Sequence, residues 1–197
     1  MGREIRRVPV DWQHPTEMKS FYPDRDTPRE HYKPLHDQSF EEAVKEWYAD
    51  LQGWIADKDG KRSKNAAQSP EFYGGDPVVS YFNYAGRGPD EEVCRPAFTS
   101  EPTAYQVYGT VSEGTPVSPV CATREDLIAW LTADHPDGWP GQPEGDRHVN
   151  TRGGYWWHAV SRETAERFIG VGSVPSGIST PEHGFETGIE ALSHGRI

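Results

Sequence analysis

Residues 105–131 read YQVYGTVSEGTPVSPVCATREDLIAWL, and the order of patterns inside this stretch decides the fold. Ala104 to Tyr108 alternate loosely and are rich in β-favouring residues, which predicts a strand. Val117 to Ala122 predict a returning strand. Between them lies Ser112-Glu113-Gly114-Thr115-Pro116-Val117-Ser118-Pro119, where hydroxyls and a carboxylate are stiffened by two prolines. Thr123, with Asp126 three residues on, marks a helix start, and Leu127, Ile128, Trp130 and Leu131 supply its buried face. Strand, rigid turn, strand and capped helix together predict an α+β domain rather than a regular βαβ repeat.

Working outward, Ser39 and Glu42 form an S-x-x-E capping box. Phe40, Ala43, Val44, Trp47, Tyr48, Leu51, Trp54 and Ile55 then recur at three- and four-residue steps, so one long helix runs to about Asp57. Ser161 caps a second short helix, SRETAERFIG, which Gly170 and Gly172 end. Val78, Val79, Tyr81, Phe82 and Tyr84 predict a strand after the Gly74-Gly75 turn, and Tyr155 to Val160 another. Residues 174–179 and 185–192 predict a terminal hairpin. Residues 58–70, 86–103 and 135–154 read as long loops. The expected fold class is α+β: a small antiparallel or mixed sheet with one long and two short helices.

Residues 1–38 read as an extended arm, because Pro9, Pro15, Pro23, Pro28 and Pro34 each bias the preceding residue away from helix. Residues 39–197 then form a single α+β domain. Arg3, Arg6 and Arg7 cluster in the arm, and two readings stay open for them. They decorate an edge strand, or they grip a partner's acidic surface or a phosphate. The same arm offers a route to a homo-oligomer.

Composition excludes several classes. Only 34% of residues are hydrophobic and the mean hydropathy is -0.82, so the core is small, yet seven Trp argue against a disordered chain. A net charge of -11 disfavours direct binding to duplex nucleic acid, which needs an excess of Lys and Arg to displace counterions. The acidity reads as a solvated surface or as a face that meets a basic partner. Cys94 and Cys121 make no disulfide framework and no zinc spacing, and a reduced, cytoplasmic setting fits them. The opening MGREIRRVPVDW lacks a signal-peptide core, and no apolar run is long enough for a membrane span.

Candidate chemistry is sparse. No cofactor motif is present, and no two of the eight histidines share an HxH or HxxxH metal spacing. His158 follows Trp156-Trp157, and on a strand Trp156 and His158 share one face. That pair would stack on a ring and donate hydrogen bonds, or else serve as ordinary packing. Ser112, Glu113, Thr115 and Ser118 would line the same pocket from the rigid turn, since a preorganised loop binds with little ordering cost. The nucleophile motif G-x-S-x-G is absent. The expected function is therefore binding, with an enzyme less favoured.

Three stretches carry a resemblance: GREIRRVPVDWQHP, YKPLHDQSFEEAVKEW and YQVYGTVSEGTPVSPVCATREDLIAWL. They resemble a group of proteins encoded by tailed bacteriophages and prophages, whose members pair a REIRRVP…W-x-HP opening with an SEGTP-[IV]-SPV segment. The resemblance implies a phage origin, the cytoplasm of a bacterial host and an accessory role. It transfers no catalytic residues. The expectation is an accessory binding protein acting on a host protein or a small nucleotide-like ligand. Counter-defence is one version, by effector inhibition or by sequestering a signalling nucleotide. A small hydrolase using His158 and a virion or assembly component are the alternatives.

Overall fold

The computed structural model describes residues 2–20, 27–110, 114–135, 138–147, 159–182 and 184–197. The chain is α+β. In order it carries β1 (Arg3–Val8), β2 (Thr16–Lys19), β3 (Arg29–Tyr32), β4 (His36–Ser39) and α1 (Phe40–Ala56). Then come α2 (Lys61–Gln68), α3 (Pro70–Tyr73), α4 (Pro77–Ala85), β5 (Cys94–Arg95), β6 (Ala104–Gly109) and β7 (Thr115–Pro116). The remainder is α5 (Arg124–Leu131), α6 (Glu144–Arg147), α7 (Arg162–Val171), β8 (Ser173–Val174), β9 (Ile178–Thr180), β10 (Gly184–Glu186) and α8 (Gly188–Ser193). The contacts divide the chain into two units, residues 1–35 with 98–197, and residues 36–97.

The first unit is built on a four-stranded sheet in the order β7-β6-β1-β8. β1 pairs antiparallel with β6 over its whole length, from Arg3 opposite Gly109 to Val8 opposite Ala104. Alternation sends Ile5, Val107 and Val174 to one face, where they meet Leu127, Leu131, Phe168 and Leu192 from α5, α7 and α8. The opposite face carries Val8, Ala104 and Tyr108, covered by Trp12, Phe98 and Val120. β1 is thus flanked by β6 along its length and by β8 at Arg3 and Glu4. Residues 3–8 are held in the sheet rather than extended away from it. The rest of the N-terminal region is also fastened. β2 and β3 pair as a hairpin, and the Tyr32 amide donates to the Asp146 carboxylate at 2.7 Å.

The returning strand is interrupted. Tyr108 pairs with Pro116, but the next antiparallel bridge joins Tyr105 to Cys121, so two extra residues must be absorbed. Ser118 solves the resulting backbone problem. Its hydroxyl is 0% exposed, accepts from the Val107 amide at 2.8 Å and donates to the Pro119 carbonyl at 2.9 Å. The Ser118 carbonyl accepts from the Gln106 side chain at 3.0 Å. The side chain therefore stands in for a missing ladder partner, and Pro119, with no N–H, leaves no further donor to satisfy.

The second unit is mainly helical. Ser39 caps α1 with a complete capping box, and Asp57 ends it in a left-handed conformation. Leu51 and Trp54 of α1 pack on Tyr81 of α4, with the Trp54 indole donating to Ser80 at 2.9 Å and stacking on Tyr84 at 4.5 Å. β4 and β5 form a short parallel pair, and Arg95 reaches the carboxylates of Asp37 and Glu42.

Several expectations are corrected. Residues 77–85 form helix α4, not a strand: Asp76 caps the amides of Val78 and Val79, and Pro77 occupies the first turn, where its missing N–H costs nothing. Residues 61–68 form α2 inside the expected 58–70 loop. Residues 188–193 form α8, because Thr187 and Glu190 make a third capping box; the terminal hairpin is confined to β9 and β10. The expected strand at 155–160 falls largely outside the described residues. Cys94 and Cys121 are free and buried.

Ser118→Ala would leave the Val107 amide buried without an acceptor, which lowers unfolding free energy by about 1–3 kcal/mol. Urea denaturation followed by far-ultraviolet circular dichroism measures this, and an unchanged midpoint would show that the hydroxyl carries no structural role.

Candidate functional site

The three arginines of β1 are separated by strand alternation. Arg6 lies on the Tyr108 face and is buried. Its guanidinium sits 4.2 Å from the Tyr108 ring centroid. Its Nε and Nη2 lie 2.7 and 2.6 Å from Glu4 Oε1, and Nη1 donates to the Leu35 carbonyl at 2.7 Å. Gly114 packs against the same group. Its φ is +92°, and a Cβ there would fall 2.0 Å from the Leu35 carbonyl oxygen and 2.5 Å from Arg6 Nη2. Only glycine fits, so this residue of the SEGTP turn is clamped to Arg6 and Leu35. Arg7 lies on the opposite face, exposed, 4.0 Å over the Tyr105 ring, and donates to the carbonyls of Pro102 and Thr103.

Arg3 differs from both. It stands between Gly109 of β6 and Val174 of β8, on the face that carries Ile5 and the helix-covered core. Gly109 also pairs with Thr115, so Thr115, Gly109, Arg3 and Val174 form one row across four strands. Gly109 contributes no side chain to this row and is itself buried. Arg3 is half-buried, and its Nη1 donates over 3.4 Å to the Gly2 carbonyl, which already accepts from the Thr110 amide at 3.1 Å. Among the described residues no carboxylate pairs with it. Burial pulls its guanidinium down to about 10, so it remains cationic at neutral pH. A desolvated guanidinium with most of its five N–H donors uncommitted is a ready receptor for a carboxylate or phosphate.

Behind the other face runs a closed polar network. The Tyr108 hydroxyl donates to Gln106 Oε1 at 2.8 Å and accepts from the Trp12 indole at 3.1 Å. His14 Nε2 donates to the Lys33 carbonyl at 2.7 Å, which fixes the proton there and turns Nδ1 toward the Tyr108 oxygen at 3.3 Å. Burial, against the pull of the Lys33 carbonyl and with help from the Arg6 charge, holds the His14 imidazole down to about 4. Gln106 and Ser118 continue the chain of bonds. These groups are committed to one another and tie the W-x-HP segment to the sheet. The signal in the sequence was Gln106, a polar residue inside an apolar strand run.

Of the expected ligand-binding residues, Ser112, Glu113, Trp156 and His158 lie outside the described residues. Thr115 shares a sheet face with Arg3, at the stem of the turn. Ser118 is enclosed and spent on the backbone. Among the described residues no group of three or more His, Cys, Asp or Glu could hold a metal ion, and no helix is long and apolar enough to cross a membrane. No protein-family model matches the chain, and no curated protein or solved structure is significantly similar to it.

The His14 geometry sets a pH dependence. The folded-state value lies below the ordinary histidine value of 6.5, so the unfolded chain takes up the proton first as pH falls. The neutral ring's contribution is complete above about 6.5 and is lost progressively down to about 4, a change of about 3 kcal/mol. His14→Gln removes this component. Urea midpoints measured from pH 7.5 to 4 are expected to fall less steeply for the variant; parallel curves would show that His14 does not titrate in that window.

Proposed function

We propose that this chain is a bacteriophage-encoded accessory protein that acts in the bacterial host cytoplasm by binding rather than by catalysis. Its ligand is a small phosphate-bearing molecule of the host, and sequestration of a signalling nucleotide is the version the chemistry supports best. The phage assignment rests on the sequence resemblance. The binding assignment rests on Arg3. A protein that served only to fold would place a partner beside a desolvated guanidinium or replace it with an apolar residue, because an unpaired charge in such a place costs stability. Among the described residues no carboxylate answers Arg3 at this end of the sheet, and an anion would complete the arrangement.

The network around Tyr108 supplies rigidity. β1 cannot slide, because a one-residue shift would send Arg6 and Val8 to the wrong face. The Arg3 guanidinium is therefore carried on a fixed strand, and a preorganised donor loses little entropy on binding. A role in which residues 3–8 thread into a neighbouring subunit is less favoured, since that strand already pairs with β6 along its whole length.

Thermal-shift measurements on the full chain against inorganic phosphate and linear and cyclic mono- and dinucleotides test the reading. At ligand one hundredfold above Kd, stabilisation of about 2.7 kcal/mol is expected. Arg3→Gln should abolish the shift and Arg7→Gln should preserve it. If no phosphate compound stabilises the protein, or if Arg3→Gln responds like the parent, the reading fails.

A further inference from the structure

The second unit presents a surface its own packing does not explain. α4 buries Ser80 and Tyr81 against α1 and stacks Tyr84 on Trp54, which accounts for its inner side. Its outer side carries Val78, Val79 and Phe82, which are 40%, 59% and 46% exposed. Phe82 extends toward Trp47 of α1, with ring centroids 5.6 Å apart. On the other flank Asn83 donates to the Phe72 carbonyl, and the Phe72 ring is 57% exposed. α4 reads PVVSYFNYA and has no charged residue, in a chain where 26% of residues are charged. A surface helix normally turns a polar face to solvent. Here both faces are apolar, and only the inner one is used.

An uncharged aromatic and aliphatic centre is the composition of an interface core. The charges lie at its border. Asp76 caps α4 directly beside Val78 and Val79, and Glu71 precedes Phe72. These acids select the occupant. A second copy of the chain would bring the same acids and its own charge of -11, so like charges would oppose close approach. A basic partner meets the opposite situation: long-range attraction on approach, matched charges at the rim and no charge to desolvate at the centre. Lys61 is drawn over the Tyr84 ring at 4.7 Å, away from Val78, Val79 and Phe82.

We propose that the outer face of α4, with Phe72, is a docking surface for a basic amphipathic helix of a partner protein, whose apolar side chains cover Val78, Val79 and Phe82 and whose Lys or Arg residues meet Glu71 and Asp76. This surface belongs to the helical unit and its function does not depend on the Arg3 site.

The test uses the full chain and two labelled helical peptides with the same leucine and phenylalanine positions, one flanked by lysines and one by glutamates, read by fluorescence anisotropy. The lysine peptide is expected to bind, to weaken at least tenfold on raising salt from 0.05 to about 0.5 M as screening shortens, and to weaken at least tenfold in a Val79→Ser, Phe82→Ser double variant. Circular dichroism keeps that variant interpretable, since both side chains lie outside the Trp54 core. Arg3→Gln should leave peptide binding intact, so a failure here is distinct from a failure of the nucleotide reading. Equal binding of both peptides, no binding of the lysine peptide, or full binding by the double variant would overturn the proposal. So would a concentration-dependent dimer in sedimentation that the double variant abolishes, since the occupant would then be a second copy.

Discussion

The ladder between β1 and β6 is the constraint on which the first unit depends. It joins segments about a hundred residues apart, and with β8 on its other side it places an N-terminal strand inside the sheet. The placement of Arg3, Arg6 and Arg7 is a consequence of that register. Arg7 meets Tyr105 because directly opposite residues of an antiparallel pair share a face, and Arg6, opposite Gln106, reaches Tyr108 diagonally on the same face. Arg3 stands opposite Gly109 for the same reason. The ladder also explains why the opening residues are so polar for a buried strand: each arginine is provided for differently, by a carboxylate and a carbonyl, by an aromatic ring, or by almost nothing.

The second consequence is the cost of closing the sheet on its Tyr108 side. That face is covered by a short, proline-bounded segment rather than by a helix, and such a segment brings backbone carbonyls with it. His14 and Arg6 answer the carbonyls of Lys33 and Leu35. Tyr108 then donates to Gln106 and accepts from the Trp12 indole. A network of this kind is stabilising only while each member keeps its partner, because an orphaned polar group in a low-dielectric interior costs more than the bond contributed. It gives this face one arrangement instead of several, at the expense of tolerance to acid.

What the sequence made legible follows from how local each signal is. The caps at Ser39, Thr123 and Ser161 were readable because a cap is a three-residue interaction. The α+β class was readable because strand and helix periods both appear between Tyr105 and Leu131. α4 was misread because Val78, Val79, Tyr81, Phe82 and Tyr84 favour strands on average, while the decisive signal, Asp76-Pro77, is a helix start. Tertiary packing of Tyr81 and Tyr84 on Trp54 overrides the intrinsic preference. α8 was misread in the same way, although Thr187-x-x-Glu190 repeats the box already recognised at Ser39. The interior position of β1 was not legible at all, since alternation reports which residues are buried and says nothing about which distant strand covers them. Among site residues, Arg3 draws the eye for its charge; what sets it apart, that no carboxylate among the described residues pairs with it, is a property of the register. Ser118 was read as an available hydroxyl because no local pattern announces a two-residue offset in a distant ladder.

The two proposed surfaces differ in physical kind, and this bears on how the protein would work. The Arg3 site is a single desolvated charge on a rigid strand, suited to a small anion and to selectivity by geometry. The α4 face is a broad uncharged patch in a strongly acidic chain, suited to a protein partner and to selectivity by charge at its rim. Neither proposed surface needs proton transfer. Natural sequences break local rules where function requires it and compensate nearby. Here the two breaches are an arginine without a carboxylate and a surface helix without a charge. Each is set on a well-packed element, β1 in its double ladder and α4 on the Trp54 stack, so that the scaffold rather than the ligand meets the cost of holding the site open.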